Sequence, residues 1–543
     1  MKRKISLLLV LAMLLSAIGF TAFAEDTTAA PAVAADELVG MEIDASQFTL
    51  KTSGAKVTAA EVRIDPTVGK YVKVSGEIYP VDPEAFNIEF AVVMPYAWNG
   101  KAMQFGGGGY SGSIQMDLLG NTSFGTTSPF QQGYVCFSDD SGHQGGDAND
   151  ATFALNDEAL LNWGHEHILK SYDAMQAIVN AFYGKAPDRV YWNGNSTGGR
   201  EALSCATRYG KYYDGIICNN PTANYIGLRL WGAIISSNVY ASYDAEKYPH
   251  SDGFIAEDVV KAISADAIAR YDALDGLEDG VVSNIWAARA QKNDFLAEIK
   301  EKYNLNDAQM KTLDIYENGY ELKYTLANGF TTYGGYTALE GGVMDLGPDE
   351  VPRDPLDTAY NVHHGDRADQ NFRYLVARDP NFSILKDVED WTDLHGDILD
   401  RTLWVSENID ANSANFDEFI AHGGKLILTS GWYDTSVAPF QIMAMYNKYV
   451  EKYGQETVDS FCKYYIVPGV THGGGIFWDN LYALDTWVTT GEYPEGMTGF
   501  LRTTGNNIPM PQYPGWVKYV EGDPTQASSY EVSFEVPENY NFD

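Results

Sequence analysis

The sequence predicts an α/β protein, a mostly parallel central sheet flanked by helices and interrupted by one large inserted domain. Three observations predict it. Short apolar, β-like segments alternate with helical stretches from about residue 71 to residue 218, and again after residue 423. Between about Asn224 and Ile420 the alternation stops, and a mixed pattern rich in Tyr, Asp and Gly takes its place. Finally, Gly194-Asn195-Ser196-Thr197-Gly198 lies between a strand pattern, Asp188–Trp192, and an Ala-, Leu- and Glu-rich helical pattern, Arg200–Tyr209. That is the G-x-S-x-G arrangement of a serine at the tip of a sharp strand-to-helix turn. Small residues flank such a serine because the turn leaves no room for neighbouring β-carbons.

Taken in order, the chain opens with Lys2-Arg3-Lys4, an apolar run from Ile5 to Phe20, and Ala22-Phe23-Ala24. This is a signal peptide, residues 1–24, cleaved before Glu25. The run is too short for a membrane span and nothing later approaches one, so a secreted, extracellular protein is expected. Residues 25–39, rich in Ala, Thr and Pro, are expected to be a disordered lead-in. Strands are expected at Tyr71–Gly76, Phe86–Pro95, Met103–Phe105 and Gly133–Ser138. Ala159–Tyr183 has helical spacing and stops at Gly184-Lys185-Ala186-Pro187. The serine strand and turn follow, and then a strand at Gly215–Cys218. Within the insertion, Ala256–Tyr271 and Asp307–Glu317 have helical spacing. The alternation resumes with a buried strand at Gly423–Thr429, a helix at Val437–Lys452, a strand at Cys462–Val467 and a helix at Asp479–Thr489. Residues 40–223 and 421–523 thus form the sheet domain, 224–420 the inserted lid, and 524–543 an acidic, peripheral tail.

Composition narrows the function. The formal charge is -37, and losing the three cations of the signal segment takes the mature chain near -40. Such a surface repels nucleic acid and anionic membranes, which argues against both as partners. The four cysteines, Cys136, Cys205, Cys218 and Cys462, sit in apolar strand- or helix-like contexts, which favours buried free thiols. A disulfide among them stays open, since sequence gives no distances.

Ser196 needs help to be a nucleophile, because a serine hydroxyl keeps its proton near neutral pH unless a base removes it. In sheet-based hydrolases the order is serine, acid, histidine. Asp434 lies just past the strand Leu426–Thr429, in Ser430-Gly431-Trp432-Tyr433-Asp434. His472 lies just past the strand Tyr464–Val467, in Pro468-Gly469-Val470-Thr471-His472-Gly473-Gly474. Both fall at the carboxyl ends of strands, where a parallel sheet presents its ligand-facing residues. Alone, that aspartate would be a turn residue and that histidine incidental; the joint order makes them partners. The oxyanion of a tetrahedral intermediate needs two amide donors. The Thr197 amide is one, and the run Gly106–Gly109 supplies the other, assigned to Gly108, unless the run is only a flexible turn. His143 is read as loop structure near the site. A non-catalytic carbohydrate- or cell-wall-binding protein on a hydrolase scaffold, and a peptidase or lipase on the same fold, remain as rival readings.

These residues resemble the tannase and feruloyl esterase family of secreted serine esterases, which includes the hydrolase of mono(hydroxyethyl) terephthalate. The resemblance runs through Trp98-Asn99-Gly100-Lys101, Gly106–Gly112, Asp140-Ser141-Gly142-His143-Gln144, Phe182–Pro187 and Asn193–Arg200. It continues in Arg208-Tyr209, Tyr213–Ile216, Gly423–Leu428, Gly431–Asp434 and His472–Gly475. It implies an α/β-hydrolase fold with a large lid, and ester hydrolysis through an acyl-enzyme with Ser196 as nucleophile, His472 as base and Asp434 as orienting acid. It also implies an aromatic ester substrate of feruloyl or galloyl type, or an ester derived from plant polymers. A structural calcium is implied in the lid, at Asp272-Ala273-Leu274-Asp275-Gly276-Leu277-Glu278-Asp279-Gly280-Val281, held by the Asp272, Asp275 and Asp279 side chains and the Leu277 and Val281 carbonyls. On residues alone, three carboxylates among glycines suit a hard cation or a pair of Asp-Gly turns equally well. The family's cysteines beside the serine and the histidine are absent: those positions are Asn195 and Gly473. The family cysteine before the calcium loop is likewise Tyr271. The resemblance therefore implies a triad held without its disulfide.

Overall fold

The structure, a computed structural model, describes residues 31–119, 127–145, 149–240, 251–346 and 363–537. Residues 1–24, expected to be a signal peptide, lie outside them. The strands are β1 (Glu42–Ile43), β2 (Ala55–Asp65), β3 (Gly69–Ile78), β4 (Ile88–Pro95), β5 (Lys101–Phe105), β6 (Val135–Asp139), β7 (Arg189–Asn195) and β8 (Gly215–Asn219). The insertion holds the hairpin β9 (Tyr320–Leu326) and β10 (Phe330–Tyr333). Then come β11 (Lys425–Gly431), β12 (Cys462–Val467), β13 (Ile476–Phe477), β14 (Thr498–Leu501), β15 (Asn506–Pro509), β16 (Trp516–Tyr519) and β17 (Tyr530–Ser533). Among the described residues ten strands form the main sheet, in the order β1-β2-β3-β4-β6-β5-β7-β8-β11-β12. From β1 to β6 neighbours run antiparallel; from β6 to β12 they run parallel. This mostly parallel sheet flanked by helices is the α/β-hydrolase type of architecture.

The parallel strands are apolar throughout because both faces are covered. Val190, Trp192, Ile216, Cys218, Leu426 and Leu428 pack into the core on one face. Tyr191, Ile217, Ile427, Tyr465 and Val467 alternate with them and pack on the other, beneath Leu481 and Leu484 of the helix Asn480–Thr490. The crossover out of β7 is the helix Thr197–Arg208.

Several elements depart from expectation. Strand β2 escaped notice because its outer half, Glu61-Val62-Arg63-Ile64, is exposed on both faces, Ile64 to 79%. The helix expected over Ala159–Tyr183 is broken into Asp157–Leu161, a π-turn Asn162–Glu166, and His167–Tyr183. The π-turn buries Trp163 and turns its carbonyl to the Arg200 guanidinium, which donates to it at 2.8 Å. The lead-in is packed where it is described: Ala32 N–H donates to Phe182 O, and Ala35 and Leu38 are buried in a short helical turn. Nor is the chain after residue 523 a loose tail. Strand β17 pairs with β16, and the Trp516 indole donates to Glu535 O. Apolar positions (Ala35, Leu38, Val532, Val536) inside polar stretches hold both ends down.

Between β8 and β11 the described residues add no strand to the main sheet; they form helices, including Tyr225–Val239, Glu257–Tyr271, Asp307–Asn318, His363–Gln370 and Gly396–Ile409, beside the β9–β10 hairpin. Their centre is a buried charge network in which Arg289 Nη1 donates to Glu317 Oε2 at 2.9 Å and to Glu340 Oε1 at 3.0 Å.

All four cysteines are buried free thiols. Millimolar dithiothreitol is therefore expected to leave both activity and the melting temperature within error of the untreated protein. Loss of half the activity on reduction would contradict this.

Candidate active site

Strand β7 ends at Asn195, and Ser196 occupies φ +61°, ψ -117°, a backbone conformation costing a non-glycine residue about 1–3 kcal/mol. The surroundings enforce it. A β-carbon on Gly194 would sit 2.2 Å from Gly198 O, so the chain closes on itself only with glycine there. Ser196 N–H donates to Asn219 O, and Ser196 O accepts from Arg200 N–H and Thr222 N–H. The hydroxyl is thus lifted, half-buried, at the head of the helix Thr197–Arg208.

Asp434 lies three residues past β11 and is buried. Its Oδ1 accepts the amides of Ser436 (2.7 Å) and Val437 (2.9 Å), which leaves Oδ2 facing His472 Nδ1 at 2.9 Å. His472 is half-buried, with 22% of its side chain exposed. Nδ1 carries the proton in such a pair, so Nε2 is the free base. The insertion presses on the same loop. Tyr336 donates its hydroxyl to Ser436 O, Thr337 donates to Trp432 O, and His364 Nε2 contacts Thr435 O at 2.7 Å. Burial pushes the His364 imidazole down to about 3, with the backbone bond to Thr435 working against it. His364 is therefore a neutral prop for the acid's loop. Its sequence position, inside the insertion, carried no such signal.

The glycine run wraps the start of the helix Thr197–Arg208. Gly106 N–H donates to Asn193 O, Gly107 N–H donates to Glu201 Oε2 at 2.9 Å, and Gly107 O accepts from Gly198 N–H. The Thr197 hydroxyl donates to Gly109 O at 2.7 Å. Two of the four glycine amides are thereby spent, and Gly108 and Gly109 are left for an oxyanion. A β-carbon on Gly106 would meet Gly198 Cα at 2.6 Å and Glu201 Oε2 at 2.7 Å, which is why the loop starts with glycine.

Behind this loop lies a buried charged chain that the sequence did not announce. His167 Nδ1 is 2.6 Å from Asp139 Oδ1, and His167 Nε2 stands 3.4 Å from Glu201 Oε1, an ion-pair distance. Burial alone would lower the His167 pKa; the Asp139 and Glu201 carboxylates outweigh it and hold it up at about 10. His167 is a cation that neutralises the carboxylate anchoring Gly107. His143 is buried, stacked on Phe153 and bonded through Nε2 to Tyr110 O at 2.6 Å, so it is loop structure. His165 bonds the Tyr209 hydroxyl.

The acidic segment of the insertion lies under both partner loops. Val282 N–H donates to the hydroxyl of Tyr433, next to Asp434, and Val281 packs on Gly469 ahead of His472. Asp272 accepts Asp279 N–H and Gly280 N–H; Asp275 accepts Leu277 N–H and Ser283 N–H; Asp279 accepts Val281 N–H and the Asn506 amide. Among the described residues no three His, Cys, Asp or Glu side chains converge as a metal-ligand set. The donor chemistry nevertheless fits a hard cation: oxygen only, no basic side chain paired with the three carboxylates among the described residues, and Asp275 buried, which pushes its pKa up to about 7. Tyr519 and Tyr530 of the C-terminal hairpin line the same pocket.

Comparison with known proteins places the chain in a family. The family model described as tannase and feruloyl esterase matches residues 72–533. An uncharacterized esterase of Agrobacterium fabrum is 40% identical over 535 residues, covering 94% of each chain. The mono(2-hydroxyethyl) terephthalate hydrolase of Piscinibacter sakaiensis is 25% identical over 512 residues, covering 83% of this chain and 82% of its own. Among solved structures, feruloyl esterase B from Aspergillus oryzae superposes with a TM-score of 0.70 at 18% identity, covering 89% of this chain and 98% of that one.

Proposed function

The chain belongs to the tannase and feruloyl esterase family and is a carboxylic ester hydrolase, and from that premise we propose a double-displacement serine mechanism acting on aromatic esters. The observation that carries it is the 2.9 Å bond between His472 Nδ1 and a buried, doubly anchored Asp434, beside the strained Ser196.

Ser196 Oγ attacks the ester carbonyl carbon while His472 Nε2 takes its proton. The carbonyl π-pair moves onto oxygen, where the amides of Thr197 and Gly108 receive it; each such donor contributes about 3 kcal/mol to the transition state. The intermediate collapses, the C–O bond to the alcohol breaks, and His472 returns the proton to the departing alkoxide. Water then repeats the sequence on the acyl-Ser196 ester and releases the acid. Asp434 keeps the imidazole in one tautomer and stabilises the imidazolium formed in each half-reaction. The ester-hydrolase assignment sets aside the non-catalytic reading.

The names of the relatives, a terephthalate monoester hydrolase and a feruloyl esterase, support an aromatic acyl group. The insertion, packed on the acid's loop through Tyr336, Thr337 and His364, serves as the lid. Assay on methyl ferulate, ethyl gallate and p-nitrophenyl acetate tests this reading. Turnover of at least one aromatic acyl ester with a higher kcat/KM than the acetate is expected; hydrolysis confined to the acetate would overturn the aromatic assignment.

A structural calcium at Asp272, Asp275 and Asp279, with the Leu277 and Val281 carbonyls, belongs to the same proposal, and it would neutralise three carboxylates that no basic side chain pairs with among the described residues. At calcium 100-fold above its Kd the stabilisation is about 2.7 kcal/mol, which for a chain of this length, at about 1 °C per kcal/mol, raises the melting temperature by roughly 2–3 °C. An unchanged melting curve after chelation and calcium re-addition would remove calcium from the account. Export through residues 1–24 is likewise proposed. No helix among the described residues is long and apolar enough to cross a membrane.

A further inference from the structure

The geometry points to Asn220 as the residue that locks the three catalytic segments together, through an amide clamp shared with Asn195. This rests on the triad reading above and adds a positioning residue to it.

Asn220 follows β8 directly, is buried, and sits at φ +42°, a left-handed conformation that asparagine tolerates better than most residues. Its backbone N–H donates to Thr429 O at 2.8 Å, which fixes it to the end of β11. Its side chain then reaches three places. Oδ1 accepts Gly431 N–H at 3.0 Å, three residues before Asp434. Because that donor identifies the oxygen, Nδ2 faces the other way, and it donates to Asn195 Oδ1 at 3.0 Å and to His472 O at 3.4 Å. Asn195, immediately before the nucleophile, donates its own Nδ2 to the same His472 carbonyl at 3.3 Å. One side-chain amide thereby touches the nucleophile elbow, the acid strand and the base itself.

His472 needs such a hold. Its loop continues through Gly473, Gly474 and Gly475, the last two at φ +91° and +145°; Thr471 and Gly474 bond one another, and the flanks are held by Tyr433 N–H on Val470 O and Arg502 N–H on Gly475 O, so among these bonds none reaches His472 itself or Gly473. The imidazole is tethered at Nδ1, but a backbone free to slide would carry Nε2 away from Ser196 even with that tether intact. Displacement of a reacting group by 1 Å costs on the order of 100-fold in rate. The clamp joins Asn195 to the His472–Gly473 junction, where the family resemblance implies a disulfide in other members, and it does so with neutral amides that neither titrate in the working range nor respond to reductant.

Two variants test the clamp in the full-length mature protein. Asn220→Asp keeps the side chain's shape and the acceptor for Gly431 N–H, but turns an acceptor toward Asn195 Oδ1 and His472 O. Asn195→Ala removes an exposed side chain, so the fold is expected to stand without it. Both are assayed for kcat and KM on methyl ferulate and for the rate at which a fluorophosphonate labels Ser196, with Ser196→Ala alongside. The clamp predicts that Asn220→Asp loses on the order of 100-fold in kcat with KM within twofold. It predicts a loss of at least about 5-fold for Asn195→Ala, which removes the bonds to His472 O and from Asn220 Nδ2 while Asn220 keeps its own bond to that carbonyl, at an unchanged melting temperature. Labelling slows in the same ratios. Wild-type kcat and labelling in Asn195→Ala, or a loss confined to KM, overturns the clamp while an inactive Ser196→Ala protein keeps the serine mechanism. An active Ser196→Ala protein overturns the mechanism itself.

Discussion

Replacing Ser196 by Ala is expected to lower kcat by about 10⁶-fold, the loss that serine-triad enzymes show when the nucleophile goes. The residue left behind still binds substrate and still presents the Thr197 and Gly108 amides, so KM should change little. Asp434→Asn should cost about 10⁴-fold, because an amide accepting the Ser436 and Val437 N–H groups through its oxygen turns its NH2 toward His472 Nδ1 and selects the wrong tautomer. The backbone adds a second signature. At φ +61° a side chain is strained, so Ser196→Gly should abolish activity and raise stability by about 1 kcal/mol. An inactive variant that melts higher than wild type is what an elbow held against its own preference produces. A Ser196→Gly protein that melts lower would mean that the strain is not stored there.

Glu201→Ala carries the largest expected effect on stability. It leaves His167 as a buried imidazolium with Asp139 alone, and leaves the Gly107 amide without its acceptor. Breaking a buried pair by deleting one partner costs about 3–5 kcal/mol, and activity should fall with it because the glycine loop loses its anchor. The pH dependence checks the cause. The His167 pKa is raised in the folded protein, to about 10 against an ordinary value near 6.5. Its contribution is therefore complete below about pH 6.5 and is lost as pH rises toward 10. Glu201→Ala should lower that pKa and flatten this part of the stability curve, as should His167→Gln. Equal slopes between pH 6.5 and 10 in wild type and both variants would exclude His167 as a buried cation.

The strained turn at Ser196 and the Asp434–His472 pair were legible because each rests on a local pattern: glycine spacing around Ser196, and a polar residue just past an apolar strand for Asp434 and His472. The parallel strands were legible for a similar reason, since a strand buried on both faces is a continuous apolar run. What stayed hidden depends on contacts across long separations. Glu201 looks like an ordinary helix residue until β5 delivers Gly107 to it from 94 positions away. Asn220 looks like a turn asparagine ahead of Pro221, and only the sheet order, which puts β8 between β7 and β11, reveals it between the serine and the acid. The π-turn at Asn162–Glu166 is driven by Trp163 and Arg200, not by its own helical propensity. Strand β2 and the segment after residue 523 were missed for the opposite reason: their many exposed positions make them look polar, and strand pairing together with a few buried apolar side chains orders them.

The measurement closest to the central claim is the mass of the enzyme during turnover. Quenching the protein in acid within milliseconds of mixing with p-nitrophenyl ferulate, followed by intact-mass and peptide analysis, should show one added feruloyl group, located on the peptide that contains Ser196. It should appear with a burst of one p-nitrophenol per active site and be absent from the Ser196→Ala protein. A steady release of p-nitrophenol with no covalent adduct, or an adduct on any other residue, would contradict the account.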